Sequence, residues 1–395
     1  MTAGRTSHAA AALAGALAGA VVMLATSGVS IEQGPRPGRA RPEPVATGEV
    51  SGTPTTAAFV AWSPAGLPPA AAAAARSVPG VRRVTTVRAG LDWVSATRGR
   101  DGSLTRTLPK GYVIPWEVAV IRPRQYAHFV PASERAAVLA LRPREALLAH
   151  SSAQLRGDVT EINLRDRNVP VAGVVGDDTT NGYEAIIRGR TPKSWARVDE
   201  FLLIAGPKID RAVLTRRLGR VLDPGAGLVV RARGENPFLR YGDAVLPQLL
   251  IKKEFGEFSA RPRPDGFLDI DPAWRRAHIK SRRVPLLGDM TCHDSLFPQL
   301  RASLREIVEK NLSHLIDRGD YGGCFSPRFI NTNPAGRLSH HAWGIAFDIN
   351  VSENGFGTEP DLDPRIVALL EEWGFTWGGR WLVPDGMHFE WTSFP

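Results

Sequence analysis

The last third of the chain carries the clearest pattern of apolar and polar positions. Apolar residues recur there at steps of three and four residues, which predicts an amphipathic helix with one buried face. Asp294 or Ser295 can cap the start of this helix. The residues of the apolar face are Leu296, Leu300, Leu304, Ile307, Val308, Leu312 and Leu315.

A second helix and two strands are predicted further along. Asp363 is placed as an N-cap, Pro364 as the first helical residue and Gly374 just past the helix end. Ile345–Val351 and Met387–Trp391 alternate between apolar and polar residues in the manner of strands. These elements predict a small α+β domain with a central antiparallel sheet.

Upstream of this domain the pattern is mixed α/β. Short runs rich in valine and isoleucine alternate with turn residues and alanine-rich segments. The predicted strands are Val81–Val87, Tyr112–Ile121, Val169–Val175, Phe201–Ala205 and Gly227–Val230, and the predicted helices are Ser133–His150, interrupted at Pro143, and Asp210–Leu222. We expect a separate accessory domain that positions the C-terminal domain or binds a partner.

The N-terminal residues carry a targeting pattern. Arg5 and His8 precede an uncharged, alanine-rich run from Ala9 to Val29. Such a run is typical of an export signal peptide or of an N-terminal membrane anchor, and both interpretations place the rest of the chain outside the cytoplasm. The Pro-rich segment that follows has hardly any large apolar residue, which predicts a disordered linker.

These patterns divide the chain into consecutive segments. They are a signal peptide or membrane anchor at 1–30, a disordered linker at 31–57, the accessory domain at 58–250, a charged connector at 251–283 and the C-terminal domain at 284–395. The connector is rich in proline and arginine, which predicts a solvated segment. The aromatic residues expected to anchor it on the C-terminal domain are Phe255, Phe258, Phe267 and Trp274.

The net charge of +9 is unevenly distributed along the chain. Eight lysines and arginines and fifteen acidic residues lie from Leu287 to the end, a charge of −7, so the upstream part carries +16. A basic upstream part that faces an anionic cell envelope needs no nucleic-acid partner, and export itself argues against one. We therefore expect an envelope partner for the accessory domain.

The chain has two cysteines, Cys292 and Cys324. In an exported protein an isolated pair within one domain is most simply a disulfide, the alternative being two buried thiols. No second Cys or His pair lies at zinc-finger spacing beside them. The pair is therefore assigned a structural role.

Candidate metal ligands lie on and near the two predicted C-terminal strands. Asp348 is on the first strand, His341 precedes that strand by a short bend, and His388 can enter from the second. Two imidazoles and one carboxylate, with the fourth position left to water, are typical of catalytic rather than structural zinc. Asp385, three residues before His388, is placed to act as a general base on the zinc-activated water.

These residues fill a recognisable series. S-x-H-x-x-G-x-A-x-D is filled by Ser339, His341, Gly344, Ala346 and Asp348, and D-x-x-H by Asp385 and His388. The series resembles the zinc D-alanyl-D-alanine carboxypeptidase family, which includes vancomycin-resistance carboxypeptidases and dipeptidases and phage L-alanyl-D-glutamate endolysins. The upstream series C-H-D…P-Q-L…G-G-C-F-S-P-R, from Cys292 to Arg328, resembles an exported subgroup of that family. The resemblance covers about the last 110 residues.

The resemblance implies a role for each residue. His341, Asp348 and His388 would bind one Zn²⁺ ion, and Asp385 would be the general base. Arg328 would bind substrate or stabilise the oxyanion, which agrees with the need for a fixed cation beside a polarised carbonyl.

Several neighbouring residues are given smaller roles. Ser339 either caps the turn or contacts substrate, and Trp343 either lines the cleft or lies in the core. His340 is expected to support a ligand or to lie at the surface. Glu390, like Asp361 and Asp363, is expected at the surface or at a helix cap.

The sequence therefore predicts an exported or membrane-tethered zinc metallopeptidase that cleaves peptidoglycan stem peptides, most simply as a D-alanyl-D-alanine carboxypeptidase. The alternatives are an L-Ala-D-Glu type endopeptidase and a non-catalytic zinc-binding module of the cell envelope. Within the accessory domain, residues 78–81 and 171–177 also resemble segments in the extracytoplasmic domains of some transporter permeases.

Overall fold

The computed structural model describes residues 58–164, 167–233 and 246–394, in which helices and strands are interspersed. This mixture agrees with the predicted α+β class. The described residues all belong to one compact unit. The predicted signal peptide or anchor and the predicted linker lie outside them. No helix within the described residues has the length and apolar character needed to cross a membrane.

The upstream region is built on one large sheet. Its strands are β1 Ala58–Trp62, β2 Arg83–Arg98, β3 Ile114–Ile121, β4 Ala146–Ala149, β5 Glu161–Leu164, β6 Arg167–Val175, β7 Ala185–Arg188, β8 Asp199–Ala205 and β9 Val229–Ala232. They lie in the order β3-β7-β4-β6-β5-β2-β8-β1-β9, and an additional pairing of β2 with β3 closes β3-β7-β4-β6-β5-β2 into a ring. The helices that accompany them are α1 Ala71–Arg76, α2 Pro123–Tyr126, α3 Arg135–Ala140, α4 His150–Arg156 and α5 Arg211–Gly219.

The predicted strands and the helix after Asp210 all overlap observed elements, but the predicted helix Ser133–His150 is wrong in its second half. The helix ends at Ala140, and the four residues of β4 are all buried, with β6 on one side and β7 on the other. Alanine and leucine favour helix as isolated residues. Pairing with two neighbouring strands overrides that preference here.

The predicted connector is an ordered part of the fold. It contains most of α6 Gln248–Phe255, all of β10 Ala260–Pro262, β11 Leu268–Ile270 and α7 Pro272–His278, and most of β12 Ile279–Val284. Since β12 pairs with β13 Gly288–His293, the predicted boundary at 283/284 falls inside a hairpin. Phe255, Phe258 and Trp274 are buried in the core shared with the C-terminal region, as predicted, whereas Phe267 is exposed.

The C-terminal region places helices beside a second sheet. Its remaining elements are α8 Phe297–Glu309, β14 Tyr321–Gly323, β15 Ala346–Ile349, α9 Pro364–Glu372, β16 Phe375–Trp377 and β17 His388–Trp391. The sheet has the order β14-β15-β17-β16, and every pairing in it is antiparallel. Cys292 and Cys324 form the predicted disulfide, which joins β13 to the segment after β14.

The two helices differ in how well their ends were predicted. Asp363 caps α9, with its carboxylate accepting from Arg365 N at 2.8 Å, as expected. Neither Asp294 nor Ser295 caps α8, because a short 3₁₀ turn at Asp294–Leu296 precedes it. The side chain of His293 caps that turn by accepting from Ser295 N. Most of the predicted apolar face of α8 is buried, but Val308 is exposed.

Candidate active site

The antiparallel pairing of β15 with β17 places Asp348 directly opposite His388. His341 lies in a 3₁₀ turn at His340–Ala342, which is followed by Gly344 at φ +69°. A Cβ atom on Gly344 would lie 2.7 Å from His293 N, so glycine permits the chain to turn closely against β13. The bend returns His341 to the two strand residues, and all three side chains are buried.

The spacing of the three side chains suits a single metal ion. His341 Nε2 lies 3.2 Å from Asp348 Oδ2 and 3.2 Å from His388 Nδ1, and His388 Nδ1 lies 2.8 Å from Asp348 Oδ1. Ligands about 2.0–2.1 Å from a tetrahedral zinc ion would be separated by roughly 3.3 Å. The observed separations are close to that value.

The far nitrogen of each imidazole already has a partner. His341 Nδ1 lies 2.8 Å from the carbonyl oxygen of Cys324, and His388 Nε2 lies 3.1 Å from Glu390 Oε1. A neutral histidine that donates to those oxygens carries its lone pair on the nitrogen that faces Asp348. Two lone pairs and a carboxylate then converge, a donor set that fits Zn²⁺.

The electrostatics of the cluster favour positive charge at the same place. Burial would raise the pKa of Asp348, but His341 and His388 hold it below its ordinary range. Burial would lower the pKa of His388, but the carboxylates of Asp348 and Glu390 raise it to about 10. The imidazoles and carboxylates brought together by folding therefore stabilise one another's charged forms.

Asp385 lies in the loop that leads into β17. The backbone bond from Asp385 N to Gly378 O (3.0 Å) and the bond from Trp377 Nε1 to Gly386 O (2.7 Å) close this loop. Burial raises the pKa of the Asp385 carboxyl, on which the charges of His388, Asp348 and His341 also act. Within the described residues its buried Oδ1 accepts no hydrogen bond. The carboxyl is therefore available to a substrate or a proton.

Arg328 and Ser339 lie opposite each other in the segment before His341. Ser339 N donates to Arg328 O at 3.1 Å, and Ser326 N donates to His341 O at 3.0 Å. The half-buried Arg328 side chain makes no hydrogen bond or ion pair with any residue in the described part of the chain. Ser339 Oγ accepts from His341 N at 3.3 Å, so this side chain caps the turn that carries the first candidate ligand.

Trp343 and Trp381 occupy different environments. Trp343 is fully buried, packs on Phe258 with ring centroids 4.6 Å apart, and donates from Nε1 to Gly256 O at 3.2 Å. Trp343 is thus a core residue with no surface for substrate. Trp381, by contrast, lies with its ring centroid 5.3 Å from that of His388.

The prediction that Glu390 is a surface or capping charge is wrong. Glu390 is buried on β17, with Oε1 at His388 Nε2 and Oε2 lying 2.9 Å from Nδ1 of the buried His340. Burial would raise the pKa of Glu390, but His340 and His388 lower it to about 2. Strand alternation could have indicated this role, because residues 388 and 390 share one face.

Tyr321, on β14, is a further residue that the sequence analysis did not single out. Burial and the negative charge of Asp348 both raise the pKa of its phenol, which keeps the hydroxyl protonated beside the cluster. Nothing in the spacing of the motif points to this residue, because β14 approaches β15 only through the fold of the sheet.

Comparison with known proteins finds a family match for part of the C-terminal region. Residues 332–391 match the family described as D-alanyl-D-alanine carboxypeptidase. The matched range contains Ser339, His341, Asp348, Asp385 and His388, and it begins after Arg328. This match supports the assignment of the C-terminal region as a peptidase domain.

Two further comparisons add little. No curated protein matches the chain. Among solved structures, the periplasmic region of MacB from Actinobacillus actinomycetemcomitans aligns with 9% sequence identity over 44% of this chain and 88% of that chain, with a TM-score of 0.29. A TM-score of this size does not establish a shared fold.

Proposed function

We propose that the C-terminal region is a zinc-dependent peptidase that acts on peptidoglycan stem peptides. The observation that carries this proposal is the convergence of three metal-donor side chains beside a carboxyl group whose buried Oδ1 has no hydrogen-bond partner among the described residues. Zinc held by His341, Asp348 and His388 would supply a Lewis acid and lower the pKa of a bound water towards about 7.

Asp385 is the proposed general base. Its raised pKa brings the carboxylate closer to the range in which a side chain both accepts and returns a proton. Asp385 Oδ1 would take the proton of the attacking water and deliver it to the nitrogen of the departing amine. This oxygen is buried and has no hydrogen-bond partner within residues 58–164, 167–233 and 246–394, which supports the assignment.

Arg328 is the proposed anion-binding residue. The Arg328 guanidinium has no partner among the described residues and lies in a segment that pairs with the turn carrying His341, so it can bind a substrate carboxylate or a developing oxyanion. A terminal carboxylate is a feature of the D-Ala-D-Ala end of a stem peptide. Carboxypeptidase activity is therefore our first choice and L-Ala-D-Glu endopeptidase activity our second.

We also propose an extracytoplasmic location. The disulfide between Cys292 and Cys324 supports it, because such bonds persist in oxidising compartments. The alanine-rich run at Ala9–Val29 is the candidate export signal or tether. Peptidoglycan would then be in reach of the enzyme.

The rival proposal is a zinc-binding envelope module without activity. A metal site used only for structure is closed by four protein ligands, whereas the described residues supply three. A structural site also has no use for Asp385 Oδ1 or for the Arg328 guanidinium, neither of which has a partner in the part of the chain that the structure describes. These three features favour the enzyme.

Digestion of muropeptides with pentapeptide stems tests the proposal. The purified full chain is incubated with them in zinc-containing buffer, with chelator, and with zinc restored, and the products are weighed by mass spectrometry. Release of a terminal alanine, lost with chelator and regained with zinc, is the expected result. A product cut between L-Ala and D-Glu selects the endopeptidase, and unchanged muropeptides overturn the proposal.

Asp385→Asn separates the proposed base from the metal site. We expect normal zinc content and a fall in kcat of about 10²–10⁴-fold, the usual contribution of a positioned general base. The matched control is Asp361→Asn, which changes an exposed aspartate and should leave kcat unaltered. Zinc content is read by elemental mass spectrometry and kcat by alanine release; full activity in Asp385→Asn would remove this residue from the mechanism.

A further inference from the structure

A hairpin connects the proposed substrate-binding arginine to the first metal ligand. Ile330 N donates to Arg337 O at 2.9 Å, and Ser339 N donates to Arg328 O at 3.1 Å. Arg328 and Ser339 form the open end of this hairpin, two residues before His341, and residues 331–336 form its tip. We call residues 328–339 the site hairpin.

The upstream sheet holds the site hairpin through a buried ion pair. Arg337 Nε lies 3.1 Å from Asp199 Oδ2, and Arg337 Nη2 lies 3.4 Å from Asp199 Oδ1. Asp199 is the first residue of β8, and its side chain is 7% exposed against 13% for Arg337. The Arg337 guanidinium also lies over the ring of Trp62, 5.6 Å from its centroid. Two strands of the upstream sheet therefore contact one arginine of the hairpin.

The opposite side of the site hairpin is held by the turn between β10 and β11. Phe329 N donates to Gly266 O at 2.9 Å, and Leu268 N donates to Pro327 O at 2.9 Å. Gly266 has φ +82°, and a Cβ atom there would overlap the carbonyl oxygen of Thr332. Only glycine allows so close an approach. The hairpin thus lies between this turn and the upstream sheet.

The upstream region also contacts the loop that carries Asp385. Gly227, just before β9, lies against the side chain of Leu382, so that a Cβ on the glycine would be 2.7 Å from Leu382 Cδ2. Leu382 is three residues before Asp385. The site hairpin and the loop that carries Asp385 both border the metal cluster. Both therefore contact the upstream region, for which the sequence predicts no specific role.

We propose that residues 58–233 position the two segments bordering the metal cluster, with Asp199 and Arg337 as positioning residues for the peptidase. The kinetic part of this proposal rests on the proposed function. A buried, two-bond arginine–carboxylate pair fixes orientation as well as distance. A displacement of about 1 Å at a group that binds substrate can cost 10²-fold in rate.

A second arginine beside Asp199 allows Arg337 to be replaced without leaving the buried carboxylate unpaired. Arg197 Nε also lies 3.0 Å from Asp199 Oδ1, so Asp199 keeps a cation when Arg337 is replaced. Arg337 and Arg197 together hold the pKa of Asp199 at about 2 against the effect of burial. Arg337→Met keeps an unbranched apolar side chain but removes the guanidinium that pairs with Asp199 and lies over Trp62.

Hydrogen exchange in the full chain tests the proposal without any substrate. In Arg337→Met we expect amides of residues 328–341 to exchange about tenfold faster, while those of α9 keep their wild-type rates. Arg337→Lys should fall between the two. Glu200→Gln is the matched control, because Glu200 neighbours Asp199 on β8 but pairs with the exposed Arg88 at the surface.

Kinetics then connect the hairpin to activity. We expect kcat/KM for alanine release to fall about tenfold in Arg337→Met with zinc content unchanged, and partial recovery in Arg337→Lys. Wild-type exchange of the hairpin in Arg337→Met overturns the proposal whatever the wild type hydrolyses. If Arg337→Met does not fold, Arg337→Lys takes its place in the test. Hairpin exchange rates and a kcat/KM equal to those of the wild type in Arg337→Lys would then overturn the proposal. Fast hairpin exchange with undigested muropeptides instead overturns the peptidase assignment alone.

Discussion

Two clusters of buried ionisable side chains lie in different parts of the molecule. In the upstream cluster the fully buried Lys252 Nζ contacts Glu184 Oε1 and lies 3.4 Å from Glu257 Oε1. Arg156, stacked 4.2 Å from the Trp116 ring centroid, also pairs with Glu257. Both carboxylates of this cluster face a cation supplied by the chain itself.

The C-terminal cluster has a different balance. His341, Asp348 and His388 direct two ring nitrogens and a carboxylate at each other, and the oxygen of Asp385 beside them lacks a partner among the described residues. No lysine or arginine within the described residues forms an ion pair with Asp348 or Asp385. Buried charge is therefore common to both clusters, and what distinguishes the C-terminal cluster is a set of convergent donors that pairs with no lysine or arginine among the described residues.

Replacing one member of each cluster gives the largest contrast. His388→Ala is expected to lower zinc content from near one ion per chain to below about a tenth, and to abolish hydrolysis, because the site loses a ligand. Lys252→Met should retain zinc but lower the free energy of unfolding by about 3–5 kcal/mol. The reason is that the buried Glu184 carboxylate loses the lysine with which it forms an ion pair. Elemental analysis and denaturant unfolding measure the two effects.

The opposite outcomes would break the comparison. Zinc retained at full stoichiometry in His388→Ala would remove that residue from the ligand set. Zinc lost from a folded Lys252→Met variant would show that the two clusters act as one, and the distinction between a structural and a functional cluster would fail.

Replacing Glu390, which contacts the candidate ligand His388, tests the C-terminal cluster with a smaller expected change in zinc binding. Glu390→Gln keeps the shape of the side chain but removes the negative charge beside His388 Nε2, so zinc affinity should fall about 10–100-fold. Competition with a chromophoric chelator measures that affinity. Glu353→Gln, at an exposed acidic residue, is the control and should bind zinc as the wild type does. Equal affinities in all three proteins would assign Glu390 to packing alone.

His293 is a buried imidazole outside the candidate metal site, and it shows the neutral case. Burial and the neighbouring His278 lower the pKa of His293 from 6.5 to about 4, while Asp294 opposes the shift. Its Nδ1 accepts from Ser295 N and its Nε2 lies 3.2 Å from Phe255 O, so both ring nitrogens are used by the uncharged ring. The folded state therefore resists protonation.

The lower pKa of His293 in the folded state sets the direction in which stability changes with pH. Between pH 6.5 and 4 the unfolded chain binds a proton that the folded chain does not, so stability falls as the pH falls, by about 3 kcal/mol in total. His293→Asn retains a capping side chain and should lose that part of the slope. Unfolding by denaturant at several pH values measures it, with the exposed His314→Asn as control. An unchanged slope in His293→Asn would contradict the assignment.

The elements that were predicted well depend on local patterns. The apolar face of α8, the Asp363 cap of α9, and the strands around Asp348 and His388 follow from spacing within a few residues. The second half of the predicted helix Ser133–His150 is wrong because its structure depends on residues far away in the sequence. Its residues are committed to β4 by strands that are distant in sequence.

By itself, the sequence determined the chemistry that is available: a spaced series of His and Asp residues and a single cysteine pair in the same domain. The tertiary structure decided which groups meet. Glu390 reaches His340 only through the turn of the chain before β15, and Arg337 reaches Asp199 across 138 residues of sequence. The spacing of residues along the chain can indicate the candidate ligands of a site. Ion pairs between distant segments form only when burial and strand register bring those segments together.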